Sequence, residues 1–271
     1  MSFMKTTKIL FGILATTMAL VINGRSDLAT PLLTGFDQQI LDRNDDGSTA
    51  LVPIGFAINF YGNTHTALYV NNNGNVTFDN WYSAYTPQPL NILGIGIIAP
   101  FWADVDTRNP DSDVVRYGTG ASDGHAAFGV DWVNVGYYST HADKLLSCQL
   151  VMIDRSDIAP GDFDLEFNYS TVQWQWGDVS VGAPPRAGFS NGAFDYELPG
   201  SGESGAFLDS STGTGLIYND LNSSVPGRYV FFFRDGTAVP EPTATALVGV
   251  GLVMLVVTSL KRRRFVHPAS R

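Results

Sequence analysis

The chain has 271 residues, with 16 basic and 26 acidic side chains and a formal charge of −10. Seven of the cations lie in the two ends, so residues 25–238 hold 9 basic against 25 acidic side chains, a charge of −16. A surface this acidic argues against nucleic acid or anionic lipid as a partner, since both need a cationic face. One cysteine rules out an internal disulfide framework, and no pair of histidines has the spacing of a structural zinc site.

Lys5 and Lys8 precede an apolar run from Ile9 to Ile22, and Gly24 is the first suitably placed small residue. A charged start and a short apolar stretch predict a secretory signal over residues 1–24, not a membrane span. Asn23-Gly24-Arg25 is not an Ala-x-Ala pattern, which leaves the cleavage position open. Next comes DRNDDGS, in which Asp42, Asn44, Asp46 and Gly47 reproduce the first half of a calcium loop. The twelfth position is Pro53, so the bidentate glutamate is missing, and an Asx-rich turn capped by glycine explains the same residues. Asp42, Asn44 and Asp46 are therefore candidate calcium ligands beside a purely structural reading. Asp104 and Asp106, in FWADVD, share one strand face and could add oxygens from elsewhere.

The middle of the chain is written in strands. FAINF places Phe56, Ile58 and Phe60 on one face. LYVNNNGNVTF reads as a hairpin, and a three-residue loop Asn72-Asn73-Gly74 pairs Val70 with Val76 and Leu68 with Phe78, gathering the apolar residues. Gly74 then occupies the left-handed position, so Gly74→Val is expected to cost roughly 1 kcal/mol or more and Asn72→Ser to be far milder. Trp81, Tyr82 and Tyr85 follow, aromatic rings that could stack on sugars or join the core. LLSCQLVMI sets Cys148 on the face of Leu146, Leu150 and Met152, as a buried small residue. FDLEFNY alternates Phe163, Leu165, Phe167 and Tyr169 with a polar face of Asp164, Glu166 and Asn168 that is expected to be wet. After Ser170 the apolar parity shifts, which predicts a bulge. RYVFFF, Arg228 to Phe233, is apolar on both faces and reads as a central strand.

Gly, Pro, Asn, Asp and Ser clusters separate these runs, and no segment between the two ends has a long helical period. The fold class is all-β: a single sandwich-like domain over residues 25–238. Two short motifs carry no chemistry in that setting. GFSNG around Ser190 has the G-x-S-x-G spacing but no following helix, and the only later histidine is His267, beyond a second apolar run. GSGESG, Gly200 to Gly205, lacks the helix that a dinucleotide site requires.

The last segment, residues 239–271, opens with Pro240, Glu241 and Pro242, continues as an uncharged run from Ala244 to Leu260, and closes on Lys261, Arg262, Arg263 and Arg264. The run reaches about 26 Å as a helix, the short end of a membrane span. This arrangement resembles the PEP-CTERM sorting signal. The resemblance implies a Gram-negative bacterium that makes extracellular polysaccharide, transient membrane anchoring through the helix, and removal of the tail by an exosortase-type protease. The longer tail Phe265 to Arg271 departs from the pattern.

Ordered blocks across Ile54 to Asp235, among them NFYGNTHTALYVNNNGNVTF, IIAPFWADVDTR, GDFDLEF, PRAGFSNG and ELPGSGESGAFLDSS, resemble the NIDO domain. That resemblance implies a β-rich extracellular module associated with cell–matrix adhesion and without catalytic chemistry. The expected function is that of an exported, non-enzymatic surface or matrix protein, its partners being the processing protease and the extracellular matrix or exopolysaccharide. The alternative is a calcium-assisted, lectin-like carbohydrate-binding module. A secreted hydrolase is disfavoured, because no nucleophile, base and acid assemble.

Overall fold

The structure, a computed structural model, describes residues 31–239. The expected signal peptide, the apolar run Ala244 to Leu260 and the sorting residues Pro240, Glu241, Pro242 and Lys261 to Arg264 lie outside the described residues. In chain order the strands are β1 (Gln39–Leu41), β2 (Val52–Phe60), β3 (Asn63–Asn71), β4 (Asn75–Thr77), β5 (Gly96–Trp102), β6 (Val105–Asp106) and β7 (Val115–Ser122). They continue as β8 (His125–Tyr137), β9 (His141–Asp154), β10 (Phe163–Val172), β11 (Arg186–Asn191), β12 (Asp195–Glu197), β13 (Arg228–Arg234) and β14 (Thr237–Val239). Two 3-10 turns, Leu90–Ile92 and Leu216–Tyr218, are the only helical segments among the described residues.

The strands form two sheets. One runs β1-β7-β8-β9-β10-β13-β14 with β6 beside β8; the other runs β12-β11-β5-β4-β3-β2. Their inner faces share one core, in which Phe60, Val70, Val76, Phe101 and Phe189 of the second sheet meet Trp132, Cys148, Phe163, Phe167 and Phe233 of the first. Alternation with period two puts one residue in two into that core. This is the expected all-β sandwich. Cys148 is fully buried there opposite Trp132, and burial pushes its thiol well above the usual range.

Val70 pairs with Val76 and Asn71 with Asn75, leaving Asn72-Asn73-Gly74 as the loop with Gly74 at φ +72°. The strand ends at Thr77, so Phe78 joins Leu68 in the core without pairing to it. The register of β10 against β9 slips between Tyr169 and Thr171, the bulge expected at Ser170.

Two expectations are corrected. Asp164, Glu166 and Asn168 are buried: arginines close over the two acids, Asn168 bonds to Gln149, and the segment from Pro31 to Gln38 crosses the outer face of the neighbouring β8 and β9. There Leu33 exchanges both backbone hydrogen bonds with the Gln149 side chain, and Phe36 packs on Ala127, Val151 and Ile153. Arg155 and Arg234 both donate to Asp164, and Arg228 lies 3.4 Å from Glu166. The polar face is covered by ion pairs rather than by water. The second correction concerns Arg228 to Phe233: β13 lies next to the edge, flanked outside only by the three-residue β14, and its outward Val230 and Phe232 are half-buried.

One connection positions the site. β5 belongs to the second sheet, but after Trp102 the chain turns at Ala103-Asp104 and enters β6 in the first. Such a sheet switch closes one end of a sandwich. It also separates two acids that a straight strand would keep on one face.

Candidate functional site

The closed end is organised by the hairpin NNNGN. Asn71, Asn72, Asn73 and Asn75 are all buried, with at most 1% of their surface exposed. A buried carboxamide is tolerated only when its donors and acceptor are matched, and here they are. Asn72 Nδ2 donates to the backbone carbonyls of Asp45 and Val105, and the backbone carbonyl oxygens of Asn71 and Asn72 accept from Trp132 Nε1. Asn73 Oδ1 accepts from the Val105 backbone N–H (3.0 Å) and its Nδ2 donates to Asp46 Oδ1 (2.8 Å). Asn71 Nδ2 donates to Asn75 and Thr77, while its Oδ1 accepts from Ser48 and the Tyr82 backbone. The hub thereby fixes residues 45–48, the β5–β6 corner and the start of the loop after Phe78.

Around this hub one carboxylate oxygen from each of Asp45, Asp46 and Asp104 lies within 4.8 Å of the others. Asp104, 1% exposed, accepts from Ser180 Oγ at 2.9 Å. Asp45 Oδ2 meets Arg108 at 3.0 Å, while its Oδ1 is buried and has no hydrogen-bond partner. Burial, then repulsion from Asp106 and Asp46, raises the Asp45 carboxyl to about 6 against the pull of Arg108. Burial likewise raises Asp104 to about 6; Ser180 opposes this, and Asp45, Asp46 and Asp106 add to it. Asp106 behaves differently. Burial works against its charge, but Arg108 Nε and Nη2 and the Thr140 backbone N–H donate to it and hold it below the usual carboxylate range. Four carboxylates thus face one guanidinium, a local excess of negative charge.

The sequence-derived ligand set is rearranged. Asn44 is committed to its turn: Oδ1 accepts from Gly47 N–H, and Nδ2 donates to the Asp42 carbonyl. Asp42 is exposed. Of the three candidates only Asp46 joins the cluster, with Asp45 and Asp104 as its companions. Asp104 and Asp106 do not act together, because the sheet switch sends one to Ser180 and the other to Arg108. The hub itself escaped sequence reading, since an Asn-Gly hairpin tip ordinarily faces water; four asparagines in five positions without a charge were the available signal.

Of the aromatic trio, Tyr82 packs on Trp102 with ring centroids 5.4 Å apart, whereas Trp81 and Tyr85 are 60% and 40% exposed. Ser190 lies fully buried within β11, paired to β5 and β12, and its Oγ accepts from Gly192 N–H. That is not a nucleophile elbow. Residues 200–205 are turns.

The fold and this end define an antiparallel sandwich closed by a buried asparagine hub and an acidic cluster. The chain belongs to the NIDO-related family, whose model matches residues 29–207. That match begins before the blocks quoted above and stops short of β13. Alpha-tectorin of Mus musculus is 29% identical over 218 residues, covering 69% of this chain and 10% of its own length. Nidogen of Drosophila melanogaster is 30% identical over 217 residues, covering 69% and 15%. Alpha-tectorin of Gallus gallus is 26% identical over 238 residues, covering 76% and 10%. The chain therefore spans 15% or less of the length of these relatives. No solved structure matches it significantly. No helix among the described residues is long and apolar enough to cross a membrane.

Proposed function

We propose that the protein is an exported, non-enzymatic component of a bacterial cell surface or extracellular matrix, associated with exopolysaccharide and sorted by an exosortase-type protease. Membership of the NIDO-related family over residues 29–207 is the observation that carries the extracellular, adhesive part of this reading. The resemblance of Pro240, Glu241, Pro242 and Lys261 to Arg264 to a sorting signal carries the rest. Prolines at 240 and 242 cannot lie inside a helix, so the motif suits recognition as an extended segment. Processing within Val239 to Thr243 would leave Phe233 and Arg234 paired to Ala238 and Thr237 at the sheet edge. The intact mass of protein recovered from the matrix fraction tests this. A chain ending within Val239 to Thr243 is expected, and recovery of mature protein still carrying Lys261 to Arg264 would overturn processing in favour of a permanent anchor.

A second reading, a divalent cation at the closed end in a lectin-like module, is favoured by the orphaned Asp45 Oδ1 among three converging carboxylates. Hard cations take such oxygen ligands, and the set that fits is Asp45, Asp46 and Asp104. A bound cation would neutralise the excess charge, and the exposed rings of Trp81 and Tyr85 on a neighbouring loop could meet a saccharide.

A further inference from the structure

Beside the closed end, a groove of about 340 Å3 runs between the end of β8, the start of β9 and the segment after β10. Its lining includes Tyr137, Lys144, Gln173, Gln175, Trp176 and Asp178. The Tyr137 ring stacks on His141 at 4.8 Å and leans on the buried Trp174 at 5.4 Å, so the aromatic wall is held rigidly. Half-buried Trp176 adds a second aromatic surface, and Val179 and Val181 stand beside it 61% and 69% exposed.

Several polar groups of this groove are donors left without a partner among the described residues. Gln173 Oε1 accepts from the Leu145 backbone N–H at 3.0 Å, and Gln175 Oε1 accepts from Gly205 N–H at 2.6 Å. A backbone N–H needs an acceptor, so both amides are oriented with Nε2 turned away from the backbone. Gln173 Nε2 has no partner among the described residues, and Gln175 Nε2 reaches only Ser204 at 3.5 Å. Neither the Trp176 indole N–H nor the Lys144 ammonium bonds to any described residue. Lys144 is also the single lysine between residues 9 and 260, in a chain whose middle carries −16. The acids nearby each make one contact, Asp178 Oδ2 with His141 at 3.1 Å and Asp143 Oδ1 with the Tyr137 hydroxyl at 2.9 Å, and each keeps its other oxygen free among the described residues. The groove thus offers unpartnered donors along aromatic rings, Lys144 the charged one, beside the Asp178 carboxylate, which keeps one oxygen free.

We propose that this groove binds an acidic saccharide, a uronic acid unit whose ring lies on Trp176 and whose carboxylate meets Lys144. The glutamine Nε2 groups would donate to its ring and hydroxyl oxygens. Lys144 has no ion pair among the described residues, which a uronate carboxylate would supply and a neutral sugar would not. An acidic peptide would satisfy Lys144 but make no use of the ring surfaces, since stacking on a flat aromatic face suits a rigid pyranose. This deepens the exopolysaccharide association proposed above and rests on that reading for the choice of a saccharide; the groove adds the ligand chemistry, one local carboxylate contact at Lys144 rather than a cationic face.

The test uses the full-length protein in detergent with chelator present, so that cation bridging does not contribute. Calorimetry would compare a short oligogalacturonate, its carboxyl-reduced counterpart and polyglutamate. Binding of the oligogalacturonate is expected, weakened about tenfold by Lys144→Gln and by added salt, with an unchanged melting temperature because Lys144 is exposed. Trp176→Ala should weaken it by a similar factor. Equal binding of the reduced oligomer would overturn the acidic-sugar assignment, and equal binding of polyglutamate would make the groove a peptide site. No binding, or binding unaffected by Lys144→Gln, would overturn the site altogether. In that last case a correctly processed, matrix-resident chain would still support the proposed function, so the two readings fail separately.

Discussion

Gly74 shows how one position can be legible for one reason and indispensable for two. Its φ of +72° is the left-handed conformation that the loop length demanded. A Cβ built there would also lie 1.8 Å from the Phe101 carbonyl oxygen, a clash with backbone that cannot swing aside. Gly74→Ala should therefore cost on the order of 3 kcal/mol or more, and Gly74→Val at least as much. The neighbouring expectation changes sign in its importance. Asn72 is fully buried and holds the Asp45 and Val105 carbonyls, so Asn72→Ser is no longer a mild control. Stranding buried acceptors costs about 1–3 kcal/mol. Denaturant melts check both: an Asn72→Ser midpoint equal to wild type would contradict the hub, and a Gly74→Ala midpoint equal to wild type the loop.

Among the elements, the segment from Pro31 to Gln38 does most to change the chemistry beneath it. It covers the outer face of β8 and β9, and Asp131 lies under it, accepting from Gln149 Nε2 at 2.7 Å. Burial raises the Asp131 carboxyl to about 6; Gln149 opposes the shift, Asp37 adds to it and Arg116 lowers it. Since the folded value exceeds the unfolded one, the native state binds more protons between about pH 4 and 6. This group's contribution to stability therefore falls as pH rises through that window and is level above it. Asp131→Asn keeps an acceptor for Gln149 and removes the titration. It should raise stability at neutral pH by on the order of 1–3 kcal/mol and flatten the acid-side slope. Urea melts at about pH 4.5 and 7.5 would read this, and parallel profiles for variant and wild type would rule it out.

For the whole molecule, the sandwich brings together groups far apart in the chain. Asp45 and Asp46 come from the turn after β1, Asp104 from the sheet switch, and Ser180 from the loop before β11. If a divalent cation is held there, millimolar calcium should raise the melting temperature above its value in chelator by a few degrees, with magnesium less effective. Asp104→Asn should abolish the increment, and Asp42→Ala should leave it intact. The reverse result would return the ligands to the loop first read from the sequence, and identical melting in calcium and chelator would leave a structural cluster only.

What the sequence determined by itself was local and periodic. Alternation in Phe163 to Tyr169, the parity shift at Ser170 and the loop ending at Gly74 follow from neighbours a few residues away, and the quoted blocks marked the NIDO-related family. What covers a strand's other face was not legible there. Asp164, Glu166 and Asn168 look wet in the chain and are buried because Arg155, Arg228, Arg234 and Gln149 arrive from elsewhere. The candidate site was half legible for the same reason: Asp46 stood out in a ligand-like loop, but a carboxylate's partners are set by distance in space. Only the turn at Ala103-Asp104, where the chain leaves one sheet for the other, brought Asp104 to Asp45 and left Asp106 to Arg108.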